Sequence, residues 1–142
     1  METTPLPDEI KPVMENGVPA DLVSCSAGGI PNTTIISQAY YVDREHVALS
    51  FQFFNKTMRN VRENPNACVL LNDPNGYATW ILQVRYDHSE TEGPIFDQMD
   101  MQIEAIASAT GMTGIFKLKA ADIYRVDSVR KVTFKRQSTD QS

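Results

Sequence analysis

Glycine and proline recur at short intervals through the first two thirds of this 142-residue chain, a pattern that favours a single domain. No repeat, low-complexity tract or long linker divides the sequence. A chain of this length buries roughly 70% of its unfolded surface and needs no disulfide or structural metal to hold a core. We therefore expect one domain over residues 1–136, beginning with a helical lead-in over 1–18 on the domain edge and followed by a disordered tail over 137–142.

Alternating apolar and polar residues predict strands between the turn signals. The clearest case is 46–53, where Val47, Leu49 and Phe51 share one face with Phe53. Other strands are predicted over 21–26, 32–41, 67–71, 77–86, 115–118 and 123–129. Short turns between successive segments, such as Ala27-Gly28-Gly29, make neighbouring strands hairpins.

Two helices are predicted among these strands. Asn55 is a favourable N-cap for a short helix over 56–62, which must end before Pro65. A polar loop over 87–93 leads into a longer amphipathic helix from Pro94 to Gly111, with apolar residues at helical spacing. Short strands in hairpin order with two helices indicate a mainly β fold with minor α content, a small antiparallel barrel.

Charge and cysteine content exclude some classes of function. The chain has 18 acidic and 13 basic side chains and a net charge of -5, which argues against nonspecific nucleic-acid binding. No apolar run approaches the length of a membrane span, and the polar N-terminus does not resemble a secretory signal. Cys25 and Cys68 are far apart in the sequence and fit reduced thiols. We expect a cytoplasmic protein that binds neither nucleic acid nor membranes.

The segment from Ser50 to Asn60 places hydrogen-bond donors where a strand gives way to a helix. The first turn of a helix has unpaired N–H groups and the positive end of the helix dipole, so Lys56, Thr57 and Arg59 are candidates to hold a phosphate. The same residues equally fit a capped helix on the protein surface. The residues alone leave both interpretations open.

No other residues form a convincing catalytic or metal site. His46 and His88 are widely separated without a cluster of carboxylates or cysteines, and we expect both at the surface. No serine is placed for a Ser-His-Asp triad. We therefore predict no metal site, and the catalytic residues stay unknown.

Taken in order, several segments resemble the flavin-binding split barrels related to pyridoxamine 5'-phosphate oxidase. The resemblance covers most of the sequence and rests on Gly28–Asn32, Thr34–Gln38, Ser50–Asn60, Asn64-Pro65, Ser89–Pro94 and Gly111–Val126. It implies a six-stranded antiparallel split barrel that forms a homodimer, with FMN in clefts between the subunits.

The resemblance also implies which residues bind the cofactor. Lys56 and Thr57 match the phosphate-binding pair, Ser50 and Phe51 match residues beside the ribityl chain and the flavin ring, and the strand at 36–38 flanks the isoalloxazine. The implied cofactor-binding residues are Ile36, Ser37, Gln38, Ser50, Phe51, Lys56, Thr57 and Asn60, with Trp80 near the same cleft.

Two departures from the family pattern limit the expected function. The strand over 33–40 lacks the Arg and Lys that complete the phosphate site, and the C-terminal segment over 129–136 lacks the His that reads vitamin B6. We expect an FMN-binding oxidoreductase acting on an unidentified small molecule rather than on vitamin B6. The alternatives are a non-catalytic binding or sensor module for flavin, haem or deazaflavin, and a dimeric scaffold with a vestigial cleft.

Overall fold

A computed structural model of the chain describes residues 6–15, 19–36, 39–51, 55–75, 78–111 and 118–133. Within helices and strands, the side chains of residues 51, 55, 56, 58, 106, 107 and 110 lie outside this description. The elements are α1 (Ile10–Glu15), β1 (Ala20–Cys25), β2 (Pro31–Ile36), β3 (Ala39–Asp43), β4 (His46–Phe51), α2 (Asn55–Glu63), β5 (Asn66–Asp73), β6 (Ala78–Glu90), α3 (Pro94–Thr110) and β7 (Ala120–Thr133).

The seven described strands form one sheet in the order β2-β1-β5-β6-β7-β4-β3, and every neighbouring pair is antiparallel. The two edge strands, β2 and β3, are consecutive in the chain and only residues 37–38 separate them. Three residue steps reach at most about 11 Å, so the two edges must lie close together and the sheet must curl around itself. The predicted antiparallel split barrel is confirmed.

Alternate residues of each strand fill the inside of the barrel. On β1, for example, Ala20 and Leu22 are buried while Asp21 and Val23 are partly exposed. The predicted apolar face of β4 is confirmed, since Val47 and Leu49 both lie in this core. The same core takes in Ile36, Ala39, Ala67, Val69, Leu71, Trp80, Leu82, Val84, Tyr124 and Val126.

One face of α1 packs into the same core. Ile10, Val13 and Met14 are buried at the spacing of one helix face, and Leu6 joins them from the preceding segment. Burial of four apolar side chains explains why so short a helix is stable here. Residues 10–15 of the predicted helical lead-in form a helix with one face in the core, and the place of the whole segment 1–18 on the domain edge stays a prediction.

α3 covers the outer face of β4 and β7. Met99 and Ile103 of this helix form a second apolar cluster with Ala48, Ala121 and Ile123. The apolar spacing predicted for this helix therefore marks its buried face correctly. None of the helices in the described part of the chain is both long enough and apolar enough to span a membrane.

Three details differ from the sequence predictions. The expected single strand over 32–41 is two strands on opposite edges of the sheet, and the described residues form seven strands where the family resemblance implies six. The expected loop over 87–93 is largely strand, because β6 stays paired with β7 as far as Glu90, with register shifts at Gln83/Val84 and Tyr86/His88. Leu118 lies outside any strand, and the rest of the predicted strand over 115–118 falls outside the described residues, as does the tail over 137–142.

Candidate functional site

α2 begins at Asn55 and ends at Glu63, as its capping residue and the following proline predict. It buries Thr57, Asn60 and Val61, whose spacing places them on one face. Val61 enters the barrel core. Thr57 and Asn60 are polar, 5% and 4% exposed, and need hydrogen-bond partners because a buried unpaired polar group costs about 1–3 kcal/mol.

Those partners lie on the hairpin of β1 and β2. Asn60 Nδ2 donates to Ser24 Oγ at 3.2 Å, and Asn32 Nδ2 donates to Thr57 Oγ1 at 3.2 Å. Ser24 and Asn32 are directly opposite each other in the β1–β2 ladder. The two residues of this cross-strand pair thus form hydrogen bonds to two residues of α2 that are three positions apart. We call Ser24, Asn32, Thr57 and Asn60 the polar cluster; it fixes the start of α2 against the sheet.

The predicted site residues fall in several places. Thr57 and Asn60 come together in the polar cluster, whereas Ile36 lies in the barrel core opposite Ala20, four residues along β2 from Asn32. Ser50 is 4% exposed and lies on the face of β4 that α3 covers.

The remaining predicted residues are described in part or not at all. Phe51 ends β4 and Lys56 lies in the first turn of α2, each known by its backbone alone. Ser37 and Gln38 lie outside the described residues. Trp80 is buried in the barrel core, and its Nε1 has no hydrogen-bond partner among the described residues.

A second buried polar group lies on β7. Asp122 is 5% exposed and accepts a hydrogen bond from Ser89 Oγ at 2.7 Å, while Ser89 Oγ lies 2.5 Å from Tyr86 Oη. Because the single hydroxyl hydrogen of Ser89 goes to Asp122, Tyr86 donates to Ser89. The result is a hydrogen-bond chain of three side chains that ends on a buried carboxyl group.

Burial raises the pKa of Asp122 to about 6, and the hydrogen bond from Ser89 and the positive charge of Arg62 on α2 oppose this rise. Burial also raises the pKa of the neighbouring Tyr124. The negative charges of Asp122 and Tyr86 raise this pKa further, so the Tyr124 phenol stays protonated. Asp122 was not predicted as a site residue from the sequence. The available signal was one carboxylate within the apolar run Ala120-Ala121-Asp122-Ile123-Tyr124.

The two histidines lie near the surface, as predicted, and both pair there with acidic side chains, which was not predicted. His46 Nδ1 lies 2.9 Å from Asp43 Oδ1, whereas His88 uses both ring nitrogens, with Asp87 Oδ2 at 2.6 Å and Glu90 Oε2 at 2.8 Å. The described part of the chain holds no group of three or more His, Cys, Asp or Glu side chains placed to bind a metal ion.

Solved structures with a similar fold include proteins that are named for different ligands. An FMN-binding protein from Syntrophomonas wolfei subsp. wolfei has a TM-score of 0.74 and 14% identity over 91% of this chain and 87% of that chain. An F420 reductase has a TM-score of 0.63 and 10% identity over 88% of this chain and 98% of that chain. HutZ, the heme storage protein from Vibrio cholerae, has a TM-score of 0.58 and 15% identity over 89% of this chain and 94% of that chain.

At these identities the likeness to solved structures shows the fold alone. No curated protein matches the sequence. The sequence pattern of the pyridoxamine 5'-phosphate oxidase family, however, matches residues 6–127, which is most of the chain. The protein therefore belongs to the pyridoxamine 5'-phosphate oxidase family.

Proposed function

We propose that the protein binds FMN, with the phosphate at the first turn of α2, and transfers hydride or electrons between the flavin and an unidentified small molecule. The observation that carries this proposal is the position of Thr57. It lies in the first turn of α2, and Asn32 fixes its Oγ1 against the β1–β2 hairpin. A hydroxyl group held at the positive end of a helix is a donor suited to a phosphate dianion.

The donor set fits the phosphate group. α2 has nine residues, and its first turn supplies backbone N–H groups beside Thr57 and Lys56. Arg59 is exposed on the same helix and adds a second positive charge. Thr57 itself is nearly buried, so a phosphate oxygen must approach it beside Asn32, which is partly exposed. One short charge-assisted contact there contributes about 1.5–3 kcal/mol.

The rest of the cofactor would lie against β2 and β4. Bound FMN supplies hydride and electron transfer. In our proposal Lys56 and Thr57 hold its phosphate, Ser50 and Phe51 lie beside the ribityl chain and ring, and Asn60 keeps α2 in place. Residues 36–38 flank the ring system. We assign no acid or base, since this proposal requires of the chain only that it bind and orient the flavin.

We further propose a cytoplasmic homodimer with the cofactor clefts at the subunit interface. The outer face of the sheet supports this assembly, because a row of side chains crosses it through Ile35, Asp21, Leu70 and Ile81 on four neighbouring strands. Ile35 is 70% exposed in the single chain. Three of these four side chains are apolar, and apolar side chains on an open sheet face favour contact with a second copy. Two free cysteines agree with a reducing compartment.

The decisive experiment starts from the visible spectrum of the freshly purified protein, in which bound flavin absorbs and haem gives a Soret band. Calorimetric titration of apoprotein with FMN then measures the dissociation constant of the wild type, Lys56→Ala and Thr57→Ala. We expect each variant to bind about tenfold more weakly. Lys11→Ala is the control, because Lys11 lies on α1 over the ring of Tyr41 and has no part in the proposed site, so this variant should bind like the wild type. Unchanged binding in both α2 variants would place the phosphate elsewhere.

The second candidate is a binding or sensor module without turnover. It is favoured by the sequences of β2 and β3, PNTTII and AYYVD, which carry no basic side chain to complete a phosphate site. Oxidation of reduced nicotinamide by the FMN-loaded protein distinguishes the two functions. Turnover supports the oxidoreductase, while tight binding without turnover with any electron donor supports the module. His88 is poorly suited as a haem ligand, because both of its ring nitrogens are already paired with carboxylates.

A further inference from the structure

The hydrogen bond between Asn32 and Thr57 determines how the Thr57 hydroxyl group can act. The side-chain amide nitrogen of Asn32 can only donate a hydrogen bond, so Thr57 Oγ1 is the acceptor in this 3.2 Å contact. A hydroxyl group has one hydrogen and two lone pairs. The contact occupies one lone pair and does not use the hydrogen. The Thr57 hydroxyl is therefore oriented so that it donates away from Asn32.

We infer that Asn32 is a positioning residue for the phosphate of the flavin, because its amide turns the hydrogen of the Thr57 hydroxyl group away from the hairpin and so makes this group a donor. This inference rests on the proposed function. A phosphate dianion accepts hydrogen bonds and offers none, so a hydroxyl group whose hydrogen were turned toward a neighbouring acceptor would be a poor partner. Asn32 thus favours the phosphorylated flavin over riboflavin, which lacks the phosphate.

The polar cluster contains its own control for this role. Ser24 and Asn60 form the other hydrogen bond between the hairpin and α2, also at 3.2 Å. Ser24 is opposite Asn32 in the ladder, but its partner Asn60 lies one helical turn beyond Thr57. Both bonds hold α2 against the hairpin, and only that of Asn32 acts on the first-turn hydroxyl. Loss of the Ser24 bond therefore reports what a loosened helix alone does to binding.

The test compares the dissociation constants of FMN and riboflavin for the wild type, Asn32→Ala and Ser24→Ala. The ratio of the two constants isolates the contribution of the phosphate. We expect Asn32→Ala to reduce the preference for FMN about fivefold, the effect of one net hydrogen bond, and Ser24→Ala to change both affinities alike. An unchanged ratio in Asn32→Ala, or an equal loss of preference in both variants, would overturn the inference.

A double-mutant cycle with Thr57→Val separates this inference from the function on which it rests. In the Thr57→Val background, Asn32→Ala should cause no further loss of FMN preference. A further loss there means that Asn32 acts by another route, which contradicts the inference. If the wild type binds FMN no better than riboflavin, or binds neither, the proposed phosphate site itself is wrong. If Thr57→Val weakens FMN binding and Asn32→Ala does not, the site stands and the role of Asn32 fails.

Asn32→Asp provides a second variant of nearly the same size, in case Asn32→Ala does not fold. The new carboxylate has no hydrogen to donate and accepts that of Thr57, which removes the donor from the phosphate. We expect the preference for FMN to fall more than fivefold, since negative charge is also added beside the phosphate. Circular dichroism establishes folding for each variant. A folded Asn32→Asp protein with wild-type preference would contradict the inference by itself.

Discussion

Ser89 on β6 donates a 2.7 Å hydrogen bond from its Oγ to Asp122, its direct partner on β7. The carboxyl group of Asp122 is buried, and the positive charge of Arg62 on α2 favours its ionised form. Burial of a carboxylate costs free energy that one hydrogen bond only partly offsets. The ionised side chain of Asp122 therefore lowers the free energy of unfolding.

Replacing Asp122 with Asn should stabilise the protein at neutral pH. The pKa of Asp122 is raised from 3.8 to about 6 in the folded state, so the folded protein retains a proton that the unfolded chain releases between about pH 4 and 6. Wild-type stability contributed by this group falls as pH rises through that window. Asn keeps the acceptor for Ser89 without the charge. We expect Asp122→Asn to gain at most about 3 kcal/mol at about pH 7.5 and nearly nothing at about pH 4 in chemical denaturation.

The hydrogen bond from Ser89 should be measurable separately. It lowers the pKa of Asp122, so Ser89→Ala should raise that pKa further. The pH range over which stability falls should then extend to higher pH. Titration of the Asp122 carboxyl carbon by NMR follows this change. Equal stabilisation by Asp122→Asn at both pH values, or an unchanged midpoint in Ser89→Ala, would show that Asp122 does not titrate as described.

Much of the fold was predictable because its signals are local. Alternation in β4 identified Val47 and Leu49 as core residues, and the helical spacing of α3 identified Met99 and Ile103. The division of residues 32–41 into two strands has no local signal, since Thr, Ile and Tyr favour strands throughout. It follows from closure of the barrel, which requires the chain to leave one edge of the sheet and enter the other.

The candidate site was predictable to the same extent. Thr57 could be selected because a strand-to-helix turn indicates donors at its start, whereas Asn60 was selected only through the family resemblance. Their partners could not, since Asn32 is 25 positions from Thr57 and Ser24 is 36 positions from Asn60. Only the pairing of β1 with β2 brings both partners to α2.

His88 should titrate at a higher pH than an ordinary histidine. Hydrogen bonds to Glu90 and then Asp87 raise its pKa above 6.5. This pair of contacts stabilises the fold fully below about pH 6.5, and the contribution disappears as pH rises through the raised pKa. The side chain is 47% exposed, so His88→Gln should cost under about 1 kcal/mol at about pH 5.5 and less at about pH 8.5.

NMR titration of the His88 ring gives the direct measurement. Glu90→Gln and Asp87→Asn should each lower the midpoint, because each removes a hydrogen bond and a negative charge that raise the pKa of His88. An unchanged midpoint in either variant would show that the ring does not pair with that carboxylate.

Loss of a core contact on α1 should destabilise the whole barrel. Ile10 is fully buried, so Ile10→Ala should cost about 3 kcal/mol in chemical denaturation. Its neighbour Lys11 is the control: the side chain is exposed and lies 5.1 Å from the centre of the Tyr41 ring, a contact whose loss costs about 1 kcal/mol or less. Trp80, the sole tryptophan, lies in the same core and reports local opening by its quenching with acrylamide. Equal effects of the two variants would show that α1 does not pack as described.

The proposed homodimer places the outer face of the sheet between the subunits, and two equally exposed residues test this choice. Ile35 on β2 is 70% exposed and Met101 on α3 is 71% exposed. A charge on an interface face must be desolvated on association, which costs several kcal/mol when it has no partner. Ile35→Glu should therefore shift the protein toward monomer in sedimentation velocity, while Met101→Glu should leave the dimer intact. Dissociation by Met101→Glu alone would assign the interface to α3 instead, and a monomeric wild type would remove the dimer from the proposal.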